Sequence, residues 1–364
     1  MTTTPTLFAP LKLGSLTIPN RVVMAPLTRN RANQDSAPHE LHVEYYSQRA
    51  SAGLIISEAS QISEQAVGYP GTPGIYHPVQ VSAWRSVTDA VHEKGGKIFI
   101  QLWHVGRISH PSLQKDNQLP VAPSAIKPNG EAMTLDGLQA FVEPHALEID
   151  EIKEIIQQYK SAAHNAKIAG FDGVEIHAAN GYLLDQFLRD STNFRDDAYG
   201  GSLENRSRLI TEVIAAVLEE WDAGQVGIRI SPENTFNDIN DSAPQVTFNY
   251  ITDQINTFGI AYLHVLEGDM TGKPNKIDYA QIKSRFDGAY MANMGYTKES
   301  AQESLKQNKS DLVSFGALYI ANPDLVERFV EGSKLNAPDP ETFYGGDEKG
   351  YIDYPFRESA KAIA

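Results

Sequence analysis

Three side chains within six residues, His177, Asn180 and Tyr182, carry the densest chemistry in this 364-residue chain. They follow Gly173-Val174-Glu175-Ile176, whose apolar, β-branched character predicts a strand. The end of that strand would present an imidazole and an amide able to hold an anionic or carbonyl oxygen. Two residues further on comes a phenol, which with an ordinary pKa of about 10 is protonated at neutral pH and can serve as an acid. No second histidine or carboxylate stands near His177 at convincing ligand spacing, so the pattern argues against a metal.

These groups need a scaffold, and the chain predicts one. Short β-rich runs at 21–25, 53–59, 97–102, 173–177, 226–230, 261–266, 289–293 and 312–315 alternate with amphipathic helical patterns. Eight strands alternating with helices predict an α/β fold, a (β/α)8 TIM barrel forming a single domain over residues 1–364. A doubly wound open sheet is the competing architecture, but no Gly-x-Gly-x-x-Gly turn follows an early strand. Residues 11–20 read as a hairpin before the barrel that closes its bottom. Residues 105–148, after the third strand, are rich in Pro, Ser and polar residues and form a long insertion of the kind that serves as a lid or cap.

In such a barrel the chemistry gathers at the C-terminal strand ends. Those positions hold Pro26, Leu27 and Thr28, then Ala59, then Gln101, Trp103 and His104. His177, Asn180 and Tyr182 follow, with Arg229, Gly295, Gly316 and Ala317 on the later strands. Amide, hydroxyl, guanidinium and imidazole groups converge, and no carboxylate pair does. This suits hydride chemistry on a bound cofactor better than hydrolysis. A Schiff-base aldolase or a phosphosugar isomerase would need a strand-end lysine or glutamate base, which these positions do not offer.

Bulk properties narrow the partners. With 41% hydrophobic and 21% charged residues the chain can bury a full-sized core. A net charge of −15 disfavours nucleic acid and anionic membrane surfaces. No apolar run reaches the roughly 20 residues a spanning helix needs, and Met1 to Pro5 lack the features of a secretory signal. The absence of cysteine excludes disulfides, iron–sulfur clusters and thiol nucleophiles. A cytoplasmic protein, monomeric or weakly self-associating and acting on a small molecule, is the expectation.

Several motifs stand in one order: Met24-Ala25-Pro26-Leu27-Thr28-Arg29, Gln101-Leu102-Trp103-His104-Val105-Gly106-Arg107, the His177 motif, Gly227-Ile228-Arg229-Ile230-Ser231-Pro232 and Ile320-Ala321-Asn322-Pro323-Asp324-Leu325. In this the chain resembles the Old Yellow Enzyme family of FMN-dependent ene-reductases. The resemblance covers nearly the whole chain and implies bound FMN, with NADPH as hydride donor. It implies that Thr28 meets the flavin O4 edge, Gln101 the pyrimidine edge and Arg229 the N1 and O2 side, while Pro26, Leu27 and Ala59 line the ring. Threonine at position 28 resembles the branch of the family without cysteine there. His177 and Asn180 would hold the oxygen of an activated alkene, Tyr182 would protonate its α-carbon, and Tyr69, Trp103 and Tyr351 would shape the substrate pocket.

The pattern breaks at the expected phosphate site. Gly316-Ala317 stands where the family usually has Gly-Arg, and Met294 replaces a small or glycine residue before Gly295. Backbone N–H groups at Gly295, Gly316 and Ala317 remain, and Lys273 or Lys298 are the nearest candidate replacement cations. A degenerate barrel that binds ligands without catalysis is the alternative these two positions raise.

Overall fold

A computed structural model describes residues 6–273 and 276–358. The first five residues, read above for a secretory signal, and residues 359–364 at the end of the expected domain lie outside the described residues. Eight parallel strands close a barrel in chain order: β1 (Val22–Met24), β2 (Leu54–Gln61), β3 (Ile98–Trp103), β4 (Gly173–Ala178), β5 (Val226–Ile230), β6 (Tyr262–Leu266), β7 (Ala289–Asn293) and β8 (Leu312–Phe315). This is the (β/α)8 barrel expected from the sequence. Barrel strands are covered on both faces, which is why they read as near-continuous apolar runs rather than alternating ones.

The helices between them are amphipathic. In the helix Ile149–Ile168, the buried residues Ile152, Ile155, Tyr159, Ala162, Ala163 and Ala166 recur at helical spacing and face the barrel. Burying an isoleucine of this kind contributes about 1.5–3 kcal/mol. The helix Leu203–Leu218 starts where the Ser202 hydroxyl accepts from the Asn205 N–H at 3.2 Å. Two further helices, Leu183–Leu188 after β4 and Ala317–Ala321 after β8, are too short to give a readable period.

The hairpin Leu11–Leu13 and Leu16–Ile18 closes the barrel floor, its Leu13 and Ile18 packing with Val23, Leu54, Phe99 and Tyr262. Inside the barrel, Tyr262 lies so close to Gly227 that a Cβ there would come within 2.1 Å of the phenol ring. Only glycine fits at that position. In β2 the register shifts between Ile56 and Ala59, after which Ala59, Ser60 and Gln61 pair with Gln101, Leu102 and Trp103. That irregularity carries β2 two residues past its expected end.

The insertion at 105–148 is ordered into a hairpin, Glu131–Thr134 with Gly137–Ala140, and a short parallel pair, Val121–Ala122 with His145–Ala146. Val105, Ile108, Ala132 and Phe141 pack with Ala59, Trp103 and Tyr182, so the insertion sits over the strand ends as a cap. Arg195 holds it in place, donating to the Pro123 carbonyl at 2.9 Å and gripping Asp197 at 3.0 and 2.6 Å.

Candidate active site

The backbone after β4 decides how the three residues are displayed. Asn180 adopts φ 60°, a left-handed conformation that asparagine tolerates, and Gly181 follows at φ 75°. A Cβ on Gly181 would meet the Phe236 carbonyl at 2.8 Å, so the turn needs glycine for space as well as conformation. Every other polar atom of Asn180 is spoken for. Its N–H donates to Ser231 Oγ at 2.7 Å, its carbonyl accepts from Asn237 at 2.8 Å, and its Oδ1 accepts from Asn234 Nδ2 at 2.9 Å. The carboxamide is thereby oriented with its NH2 left to donate.

His177 is held in the complementary way. Its Nδ1 accepts from the Ala179 N–H at 3.3 Å, which assigns the proton to Nε2. Burial, and then the nearby Arg229 and His264, push its pKa well below the ordinary histidine value. It is a neutral imidazole, and its free nitrogen is a donor.

Tyr182 stands edge-on to both neighbouring rings, 5.0 Å from Trp103 and 5.1 Å from His177. Its hydroxyl lies 3.1 Å from that of Tyr69. Burial pushes its pKa up to about 12, against the opposing pull of hydrogen bonds with Tyr69 and Asn237. The phenol therefore keeps its proton throughout the physiological range.

A buried polar network crosses the barrel beneath these groups. Gln101 Nε2 donates to Glu175 Oε1 at 2.7 Å, and His264 Nδ1 donates to Glu175 Oε2 at 2.9 Å. Arg229 donates to His264 Nε2 at 2.6 Å and to Asn293 Oδ1 at 2.8 Å. Burial lowers the Arg229 pKa to about 10, still well above neutrality, so a fixed cation remains on the wall. Neither Glu175 nor His264 was singled out from the sequence. Each sits inside an apolar strand, and a polar residue pointing into a barrel lumen has no local signature.

A cavity of about 790 Å3 opens above this network, within the range of small-molecule and cofactor sites. Pro26, Leu27, Thr28, Asn180, Tyr182 and Arg229 line one part of it, and Gly295, Gly316 and Ala317 another. Tyr69 lies on the same wall. Ala59, Gln101, Trp103 and His177 do not line it. They adjoin it from beneath, with Trp103 stacked between Tyr69 and His177 at 5.7 and 6.2 Å, a packing role rather than the expected pocket wall. Gln101 has one amide N–H engaged by Glu175, which leaves its second N–H and its Oε1.

Tyr351 is corrected outright. It is fully buried, stacked on Tyr45 at 4.2 Å with the Arg31 guanidinium 4.6 Å from its ring centre. Arg29 and Arg31 bind the carbonyls of Gly350 and Lys349 at 2.7 and 3.1 Å and draw this segment inward. The aromatic wall comes instead from Phe343 and Tyr344. That adjacent aromatic pair in a Gly-rich turn was the available signal.

The fit to a flavin mononucleotide is good at one end. An aliphatic wall, a threonine, a fixed cation and amide groups suit an isoalloxazine ring. At the other end the N–H groups of Gly295, Gly316 and Ala317 are used by no hydrogen bond among the described residues, and no lysine lines the cavity.

The family model for the NADH:flavin oxidoreductase / NADH oxidase family matches residues 6–336. The chain belongs to this family. It is the Old Yellow Enzyme family that the sequence motifs resemble. Among relatives of this chain, flavin oxidoreductase hxnT of Emericella nidulans is 46% identical over 97% of this chain and 98% of its own. A probable flavin mononucleotide-dependent alkene reductase of Leishmania infantum is 45% identical over 95% and 96%. The structure of morphinone reductase in complex with tetrahydroNAD superimposes with a TM-score of 0.94 at 49% identity, over 98% of this chain and 99% of that one. Among the described residues, no helix is long and apolar enough to cross a membrane.

Proposed function

We propose that this chain is an FMN-dependent reductase of activated alkenes, such as α,β-unsaturated carbonyl, nitro or maleimide compounds. Bound FMN would supply the hydride chemistry, recharged by a reduced nicotinamide dinucleotide, for which NADPH is the sequence expectation. The rest falls to the protein. Asn180 Nδ2, on the cavity wall, and His177 Nε2, adjoining it, would act as two neutral donors that hold the oxygen of the substrate and stabilise the charge that builds on it as hydride adds at the β-carbon. The imidazole donates from Nε2 in its neutral form. Tyr182 Oη holds the proton destined for the α-carbon. The cap over the strand ends limits water, which strengthens each of these interactions. Arg229 would face the electron-rich edge of the ring and favour its reduced form.

The observation that carries this reading is the pairing of a free, oriented Asn180 carboxamide with the Tyr182 phenol on one wall of the cavity. The test is spectroscopic. Flavin-loaded protein should bleach on addition of NADPH or NADH without oxygen, then recover its visible bands on addition of 2-cyclohexenone. Bleaching with no recovery for enones, nitroalkenes or maleimides would reject alkene reduction. A protein that takes up no flavin would point to the ligand-binding alternative.

A further inference from the structure

We infer that the cofactor site selects weakly for the phosphate of FMN, and that riboflavin binds it nearly as well; this rests on the flavin reading above. In (β/α)8 barrels a cofactor phosphate usually sits between the loops after β7 and β8, near the start of a short extra helix. Here those loops are Met294-Gly295-Tyr296 and Gly316-Ala317-Leu318, and both line the cavity. A phosphate dianion is ordinarily held by a guanidinium, an ammonium or several converging N–H groups. Among the described residues that line this cavity, Arg229 alone is cationic, and its guanidinium is engaged by His264 and Asn293 at the end of β5.

What surrounds the expected phosphate position is apolar or of the wrong sign. Met294, Ala317, Leu318 and Ile320 supply aliphatic surface. The Glu267 carboxyl lies just behind Tyr296, accepting from the Tyr296 and Tyr290 hydroxyls at 2.6 and 2.7 Å. Its backbone N–H is bonded to the Asn293 carbonyl at 3.0 Å, which fixes it beside the β7 loop. Burial raises the Glu267 pKa, and in its ionised form the carboxylate opposes a dianion at that loop. Lys273, one of the two lysines considered from sequence, donates instead to Thr235 at 2.9 Å. The loop itself is irregular, with Met294 at φ 102°, where glycine is favoured. The N–H groups of Gly295, Gly316 and Ala317 are the donors left for the phosphate. The ring end keeps Pro26, Leu27, Thr28 and Arg229 on the cavity wall, and contacts made there would be common to riboflavin and FMN.

A side-chain cation on the phosphate is worth about 10- to 100-fold in affinity, so a site that offers backbone N–H groups alone discriminates less. The test titrates flavin-free protein with riboflavin and with FMN, following the quenching of flavin fluorescence at low and high salt. The expected result is two dissociation constants within about 30-fold of each other, with little salt dependence for FMN. Ala317→Arg should tighten FMN by about 10-fold or more and leave riboflavin unchanged. Glu267→Gln, which places no new bulk in the cavity, should shift the same ratio in the same direction. A preference for FMN beyond about 1,000-fold in the unaltered protein, or a Glu267→Gln ratio equal to that of the unaltered protein, overturns the inference while leaving the flavin reading standing. Binding of neither flavin overturns both.

Discussion

At the scale of single residues, the site works by fixing which atoms are free. Tyr182 has one role that phenylalanine cannot replace. Tyr182→Phe should slow alkene-driven reoxidation by about 10²- to 10⁴-fold, the usual worth of a positioned general acid, while reduction by nicotinamide keeps its rate. Rapid-mixing measurement of the two half-reactions separates these outcomes. The pH dependence follows from the same environment. With Tyr182 raised to about 12 and His177 lowered well below its usual value, both keep their working protonation states across neutrality. The alkene half-reaction should therefore be flat from about pH 6 to pH 10, and a single-turnover profile with a bend near pH 6.5 would contradict a neutral His177. Met294 shows a different residue-scale effect. A non-glycine residue at φ 102° stores strain of about 1–3 kcal/mol, part of which glycine returns as unfolded-chain entropy. Met294→Gly should raise the stability of the flavin-free protein by about 1 kcal/mol, visible as a higher urea midpoint.

At the scale of elements, the site depends on pieces that only become elements once packed. The helix Leu183–Leu188 starts at Tyr182, and the Leu183 N–H bonds the His104 carbonyl at 3.1 Å, tying the proton donor to the end of β3. The cap is tied down from outside the barrel by Arg195. Removing that guanidinium in Arg195→Ala should cost about 1.5–3 kcal/mol, the worth of its charge-assisted contacts. It should also free the 105–148 segment. Limited proteolysis should then cut within those residues several-fold faster than in the unaltered protein. Cleavage at an unchanged rate would mean the apolar contacts of Val105, Ile108, Ala132 and Phe141 hold the cap unaided.

At the scale of the molecule, four histidines are buried as neutral rings. Burial lowers His42 and His104 to about 3 and His264 to about 4, and His177 lies well below its ordinary value. In the unfolded chain each takes up a proton below its ordinary value of 6.5. A group whose folded pKa is depressed contributes stability that is lost as pH falls. Glu58 works the other way. Burial raises it from 4.5 to about 7, so its contribution is full below 4.5 and lost as pH rises toward 7. Unfolding near pH 5.5 should thus take up about three protons net, giving a loss of roughly 4 kcal/mol per unit of acidification. Unfolding calorimetry in buffers of different ionisation enthalpy reads that proton number directly.

Much of this was legible in the chain because its signals are local. The alternation of β-rich runs with helical periods specifies the barrel, since each strand needs two covered faces and each helix one. Asn180-Gly181 and Gly227-Ile228-Arg229 are likewise readable, because backbone conformation and strand-end position depend on near neighbours. The tertiary structure decided what distance in sequence conceals. The Glu175–His264–Arg229 network joins three strands, so no one stretch announces it. Tyr351 and Tyr344 lie seven positions apart in the same segment. Which one reaches the cavity is settled by Arg29 and Arg31, some 300 residues earlier, binding the carbonyls of that segment. Residue types and short-range periods determine which elements form and which groups they can offer. Long-range packing determines which of those groups meet, because only the closed barrel brings separate strand ends within hydrogen-bond reach.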